Sequence, residues 1–245
     1  MPHLTPAVLS WSTGKDAAFA LHRIREGRTW DVVGLLTTVE AGTGRVATHG
    51  VRRTLLTQQA ESVGIPLTRV AVPRSPPNAV YEEAVAAALR PFGERGVRHV
   101  MFGDLFLADI RAYRERQMSA IGMECVFPLW GVDTRVLAHD MIGSGLDARV
   151  VSVDRRRLPS SMLGRRFDAA FLKDLPGDVD PCGENGEFHT FVTAGPMLRR
   201  PIPVRLGQIN ERDGFATLDL LPGPAGSSPQ GKSSGVGSSP GRRKA

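Results

Sequence analysis

Cysteine is scarce in this chain, and its scarcity closes several routes at once. Only Cys125 and Cys182 occur in 245 residues, far apart and in no metal-like spacing. Neither a disulfide framework nor a cysteine zinc site can be built from them. Long apolar runs are missing too. No stretch approaches the roughly 18 residues of a membrane span, and the first residues lack the basic-then-apolar order of a secretion signal. A reducing, cytoplasmic compartment is therefore expected. Two phosphate-loop signatures are also lacking. A G-x-x-x-x-G-K-[ST] loop would need glycine where Leu9 stands and a hydroxyl where Asp16 stands, and no G-x-G-x-x-G occurs.

The net charge of +6 looks like a nucleic-acid signal until it is located. Lys232, Arg242, Arg243 and Lys244 supply four of those charges, in a stretch from Gly223 onward where 15 of 23 residues are Gly, Ser or Pro and no acid occurs. Such a composition cannot bury a core. Residues 223–245 are expected to form a disordered basic tail, and nucleic acid is not an expected partner. The rest of the chain has the ordinary balance of a water-soluble domain, 41% hydrophobic and 23% charged overall, and enough length for a real core.

Apolar runs alternate with helical patterns. Strands are expected at 7–11, 31–37, 67–72, 99–103 and 124–127, separated by helices at 15–26, 51–63, 78–92 and 109–121. That alternation predicts βαβ units in a doubly wound, mostly parallel α/β sheet. Past Trp130 the rhythm changes: a helix at 134–144, a strand at 148–153, a helix at 160–173, then a polar loop and strands at 188–194, 202–206 and 215–220. A boundary near residue 130 is expected to separate domain 1–130 from a smaller α+β domain, 131–222.

The chemistry-bearing stretch is "LSWSTGKDAAFAL", residues 9–21. A strand running into a helix leaves unpaired N–H groups at the positive end of a helix dipole, a natural anion seat. Gly14 permits close approach of a ligand to the backbone, Lys15 adds a point charge, and Ser12 can cap the helix or donate to a phosphate.

This loop resembles the S-G-G-K-D-S loop of PP-loop ATP pyrophosphatases, in the version found in the diphthine–ammonia ligase family. "HGVRRTLLTQQAESVGIPL", "FGDLFLADIRAYRE", "FPLWG" and "DPCGENGEFHTFVTAGP" follow in the family's order. The resemblance covers residues 6–222 and implies a Rossmann-like, HUP-type nucleotide fold. It also implies cleavage of ATP to AMP and pyrophosphate as a carboxylate is adenylated, with ammonia then giving the amide. The loop departs from the family at two positions: Thr13 replaces a glycine and Ala17 a serine. A β-branched residue is strained if position 13 needs a positive φ; if not, its hydroxyl is an added donor.

On this reading Ser10, Ser12, Thr13, Gly14, Lys15, Asp16, His49 and Arg111 bind the nucleotide. Asp104, Glu184, Glu187 and His189 are the catalytic candidates, and Asp16 and Glu187 the candidate ligands of Mg²⁺, a hard ion that prefers carboxylate and phosphate oxygens. His49 is expected on a mobile flap formed by the preceding Gly-rich stretch. Arg111 also stands four residues before Glu115, the spacing of a surface ion pair, and Arg114 is the alternative anion clamp. Cys182 has no local base and is expected to be inert. The expected partners are a carboxylate-bearing substrate, small or protein-borne, and ammonia, with no membrane. Oligomeric state stays open, a homodimer included. In eukaryotic and archaeal members the carboxylate belongs to diphthine. This chain uses 27 Arg against 4 Lys, the mark of a GC-rich, bacterial genome in which diphthamide is not expected, so the substrate is open. A nucleotide sensor without turnover and a tRNA-modifying PP-loop enzyme are the rival readings.

Overall fold

The computed structural model describes residues 4–224. The expected tail lies, from residue 225 on, outside the described residues. Strand β1 (Thr5–Ser10) is the centre of the fold. It pairs in parallel with β2 (Trp30–Glu40) on one side and β4 (His99–Met101) on the other. β3 (Leu67–Val72) and β5 (Glu124–Val126) complete a five-stranded sheet of order β3-β2-β1-β4-β5. Helices α1 (Lys15–Gly27), α2 (Arg53–Val63), α3 (Asn78–Glu94) and α4 (Ala108–Ser119) make the crossovers. This is the doubly wound parallel α/β architecture expected from the alternation.

Side chains alternate across β1, and the two faces serve different cores. Val8 joins the layer built on Val85, Leu89, Phe92 and Met118 of α3 and α4. Ala7 and Leu9 face α1 and α2, and that layer runs on without a break into the second half of the chain. There β6 (Asp147–Asp154), β7 (Phe188–Ala194), β8 (Val204–Arg212) and β9 (Phe215–Pro222) form an antiparallel sheet of order β7-β6-β9-β8. Helix α5 (Thr134–Gly143) leads into it. No helix among the described residues is long and apolar enough to cross a membrane.

Two expectations are corrected. The continuous helix at 160–173 is instead a 3-10 turn, Ser160–Met162, and a short helix α6, Ala169–Lys173. Gly164, at φ +78°, turns the chain between them, so that residues 164–167 bond to Val150 and Ala148 of β6. The Asp168 carboxylate then starts α6 by accepting the Phe171 N–H at 2.9 Å. The strand expected at 202–206 begins at Val204 and continues to Arg212, since the tight turn is Asp213-Gly214, both at positive φ, the favoured hairpin pair.

The two sheets are stitched through Gln59, which is fully buried on α2. Its carbonyl accepts the Trp11 indole N–H at 2.8 Å, and its amide donates to the Thr13 carbonyl at 3.1 Å and the Val192 carbonyl at 2.8 Å. One side chain thereby ties α2, the segment after β1, and β7. Gln59→Met keeps the volume but strands the Trp11 donor and the Val192 acceptor. It is expected to lower unfolding stability by about 2–4 kcal/mol, read from denaturant midpoints. Thr13 has φ +73° and a buried hydroxyl with no partner, so the strained alternative holds. Thr13→Gly relieves both defects and is expected to stabilise the fold by about 1 kcal/mol, seen as a higher melting temperature.

Candidate active site

Open α/β sheets gather ligands outside the carboxyl ends of their strands, where the strand order reverses. Here that point lies between β1 and β4, and a cleft of about 1070 Å³ opens there. Its first wall comes from the parallel sheet: Ser10, Ser12, Asp16, His49 and Asp104. Its second comes from β7 and the loop before it: Glu184, His189 and Thr190. Seven of the expected residues therefore meet in one cleft, contributed by both halves of the chain.

The loop after β1 is held from the second sheet. Gly14 caps α1 with no side chain of its own. The Lys15 N–H donates instead to the Thr190 hydroxyl at 3.1 Å, and the Val192 N–H donates to the Thr13 carbonyl at 3.0 Å. The Ser12 hydroxyl accepts from the Gly14 N–H at 3.3 Å. Gly14 is required sterically: a Cβ there would lie 2.7 Å from Cε1 of His49. The His49 ring makes a hydrogen bond through Nδ1 to the Thr190 carbonyl at 3.1 Å and stacks on His189 with centroids 4.7 Å apart. Since a carbonyl only accepts, Nδ1 carries the proton and Nε2 is left as an acceptor. Burial holds the His49 pKa down at about 4 and that of His189 well below its ordinary value, with Lys15 opposing charge on both. The pair enters the cleft as neutral rings.

Lys15, expected to face a phosphate, does something else. Its side chain is 1% exposed and its ammonium binds the Asp16 carboxylate at 2.9 Å and the Cys182 carbonyl, over the rings of Phe167 and Phe188. Burial pulls its pKa down, but Asp16 and the surrounding negative groups outweigh it and the pKa rises. Side chains at the start of a helix lean back toward its N-terminus, which here is the seam with the second sheet. Lys15 fastens the 180–187 loop to α1. Asp16 stays on the cleft wall.

That loop is shaped by Asp180. Its carboxylate accepts the N–H groups of Cys182 and Glu184 at 2.9 and 3.2 Å and the Thr134 hydroxyl at 2.6 Å. The turn presents Glu184 to the cleft, where its carboxylate accepts the Leu105 N–H at 2.7 Å. Burial raises the Glu184 pKa to about 7, assisted by the nearby charges of Asp16 and Asp104. Glu187, expected as a proton carrier and a magnesium ligand, is 2% exposed and turns into its own loop. It accepts from the Asp180 N–H at 3.0 Å and the Asn185 amide at 3.1 Å. Cys182 is buried with its thiol pKa pushed up, so it stays protonated and inert, as expected.

Arg111 does not reach the cleft. It pairs with Glu115 at 2.8 Å and lies over the rings of Phe127 and Trp130. Arg114 does reach the cleft, its guanidinium forming a fork with Asp104, one bond at 3.1 Å, above the Phe102 ring, and Arg45, Arg74 and Arg212 also line the cleft. The expected flap around His49 is likewise tied down. Arg45 and Arg52 both bind Asp219 of β9, at 2.9 Å each. Thr190, Gln59 and Asp219 gave no signal in the sequence. Asp180 did: aspartate ahead of Pro-Cys-Gly is a side-chain-capped turn in outline. Among the described residues, no three His, Cys, Asp or Glu side chains converge as a metal cage.

The description "Diphthamide synthase N-terminal domain" belongs to a family model that matches residues 5–125, and the corresponding C-terminal domain model matches residues 133–218. The diphthine–ammonia ligase of Schizosaccharomyces pombe is 29% identical over 92 residues, which cover 36% of this chain and 15% of that much longer protein. With both family domains present, in order and over most of its length, the chain belongs to the diphthamide synthase family.

Proposed function

We propose that the protein is an ATP-dependent ligase that adenylates a carboxylate, releasing pyrophosphate, and amidates it with ammonia. The observation that carries this reading is the cleft itself. It lies at the switch point of a parallel sheet, is walled by both family domains, and brings a near-neutral carboxyl group beside a carboxylate–guanidinium pair and two neutral imidazoles. In this reading residues 1–130 hold the nucleotide and residues 131–222 present the second substrate.

Each cleft residue then has a physical task. The Ser10 and Ser12 hydroxyls and the first turn of α1 donate to phosphate oxygens. Arg114, kept in place by Asp104, supplies the positive charge that Lys15 and Arg111 do not. The neutral His49 and His189 rings hydrogen-bond without adding charge. Glu184, poised near neutrality, accepts a proton as ammonium becomes the nucleophile. The oxygens of Asp16, on the cleft wall, suit Mg²⁺, which takes one or two carboxylates together with substrate phosphates rather than a protein cage. A magnesium ion held there would neutralise charge on the phosphates. The substrate belongs to the same proposal: any carboxylate that fits the second wall, diphthine being one case. A sensor without turnover is favoured by one feature, the loss of a hydroxyl at Ala17 beside the strained Thr13.

With ATP, Mg²⁺, ammonium and a small-molecule extract, the protein is expected to release AMP, not ADP, and only with a carboxylate-containing fraction. Tight nucleotide binding with no AMP would favour the sensor instead. The rate is expected to rise with pH through about 7 as Glu184 loses its proton, and Glu184→Gln to abolish that limb. Stability carries the opposite sign. A carboxyl whose pKa is raised on folding costs stability as pH rises from its ordinary value through about 7. Glu184→Gln is therefore expected to melt higher than the parent at pH 8, with the difference closing as the pH falls toward about 4.

A further inference from the structure

His49 enters the cleft from the segment that connects β2 to α2, a turn closed on itself by the Val46 N–H on the Val51 carbonyl and the Gly50 N–H on the Val46 carbonyl, at 2.9 Å each. Residues 45–52 form a tight double turn in which Thr48 and Gly50 both have positive φ and His49 N–H bonds only two residues back, to the Ala47 carbonyl. Ala47 N–H reaches the Thr38 carbonyl at 3.0 Å, which attaches one side of the turn to β2. The other attachment comes from the opposite half of the molecule. Asp219, on β9 and only 13% exposed at its side chain, accepts from Arg45 at 2.9 Å and takes Arg52 in a two-bonded fork. These two arginines stand four residues before and three residues after His49. Arg45 also donates to the Gly50 carbonyl at 2.8 Å, closing the turn around the ring.

We propose that Asp219 is a positioning residue for the cleft: by gripping Arg45 and Arg52 it sets the His49 ring over Gly14 and against His189. The carboxylate itself does not line the cleft, although its partner Arg45 does; its effect on the site runs through His49. The second sheet thus holds the ring at two points, directly through the Thr190 carbonyl and at a distance through Asp219. Two independent features fit this role. The ring packs directly on Gly14, where even a methyl would lie 2.7 Å from its Cε1. The fork geometry of Arg52 on a carboxylate resists rotation, which a single contact would not. The consequence for the ligase reading is that nucleotide contacts in the first half depend on a carboxylate in the last strand of the second.

The test uses the full chain and two readouts, one of which needs no nucleotide. Histidine side-chain ¹H–¹⁵N spectra follow His49, assigned by its loss in His49→Ala. The titratable or charged groups facing the ring are His189 on β7 and Lys15 on α1, alongside the Thr190 carbonyl. In the parent protein the ring is expected to stay neutral, with its proton on Nδ1, down to about pH 4. In Asp219→Ala its midpoint is expected to climb toward the ordinary value of about 6.5, with ATP affinity lowered about tenfold. Asp219→Glu is expected to recover much of both. In the His49→Ala background, Asp219→Ala is expected to cause no further loss of affinity. Should Asp219→Ala fail to fold, Arg52→Gln releases the same grip from the other side, with the same shift expected. An unchanged His49 titration in a folded variant overturns the proposal, as do additive losses in the double variant. If the parent binds no ATP at all, the nucleotide reading fails while the His49 spectra still decide the role of Asp219.

Discussion

The carbonyl of Thr13 accepts two hydrogen bonds, from the Val192 N–H of β7 and from the Gln59 amide of α2, and the cleft hangs on that point. A loop leaving the end of a parallel strand has lost its ladder, and buried backbone groups left without partners cost free energy comparable to a lost hydrogen bond. Here the missing partners come from the second sheet, which lays β7 alongside the loop and caps the following helix with the Thr190 hydroxyl. The loop geometry is therefore a property of the whole chain. This also explains how a β-branched residue survives at φ +73°: the fixed carbonyl leaves position 13 no other backbone conformation.

The same seam sorts the charges. Lys15 is drawn into it, where Asp16, a main-chain carbonyl and two aromatic faces compensate for lost water. Its removal from the cleft leaves Arg114 matched by Asp104, and leaves Glu184 buried and close to acids, with the Leu105 N–H and the charge of Lys15 not enough to offset the lost water. A carboxyl in that situation keeps its proton up to neutrality. The unusual affinity of Glu184 for a proton and the burial of Lys15 are thus two results of one packing arrangement.

Much of this was legible in the chain, for definable reasons. Strand and helix positions in the first half follow from the alternation of apolar runs, and the site at the β1 and β4 strand ends follows from topology. The turn at Ser12–Asp16 and the Glu184–His189 stretch carried their own local chemistry, and both reach the cleft. The misses are of one kind. Periodicity put 160–173 in a helix, but tertiary bonds to β6 and the backbone freedom of Gly164 won. Spacing could not say which of Arg111 and Arg114 turns inward, because that depends on Phe127 and Trp130 offering one of them a better surface. Lys15 and Glu187 sit in the right segments, yet their directions are set by partners more than 150 residues away for the one and by its own loop for the other. Local sequence reports which groups are near a site; only packing reports which way they point.

Gly14 and His49 occupy one volume between them. In any path of substitution the two positions must change in a fixed order: the ring at 49 has to shrink before a side chain can appear at 14, and the reverse order passes through a clash at 2.7 Å. Even with the ring gone, the Thr190 carbonyl lies 3.3 Å from the same point, so a methyl fits there only after a slight shift. A side chain at 14 and the ring at 49 therefore compete for the same space, and the chain that places the ring here leaves that space to it.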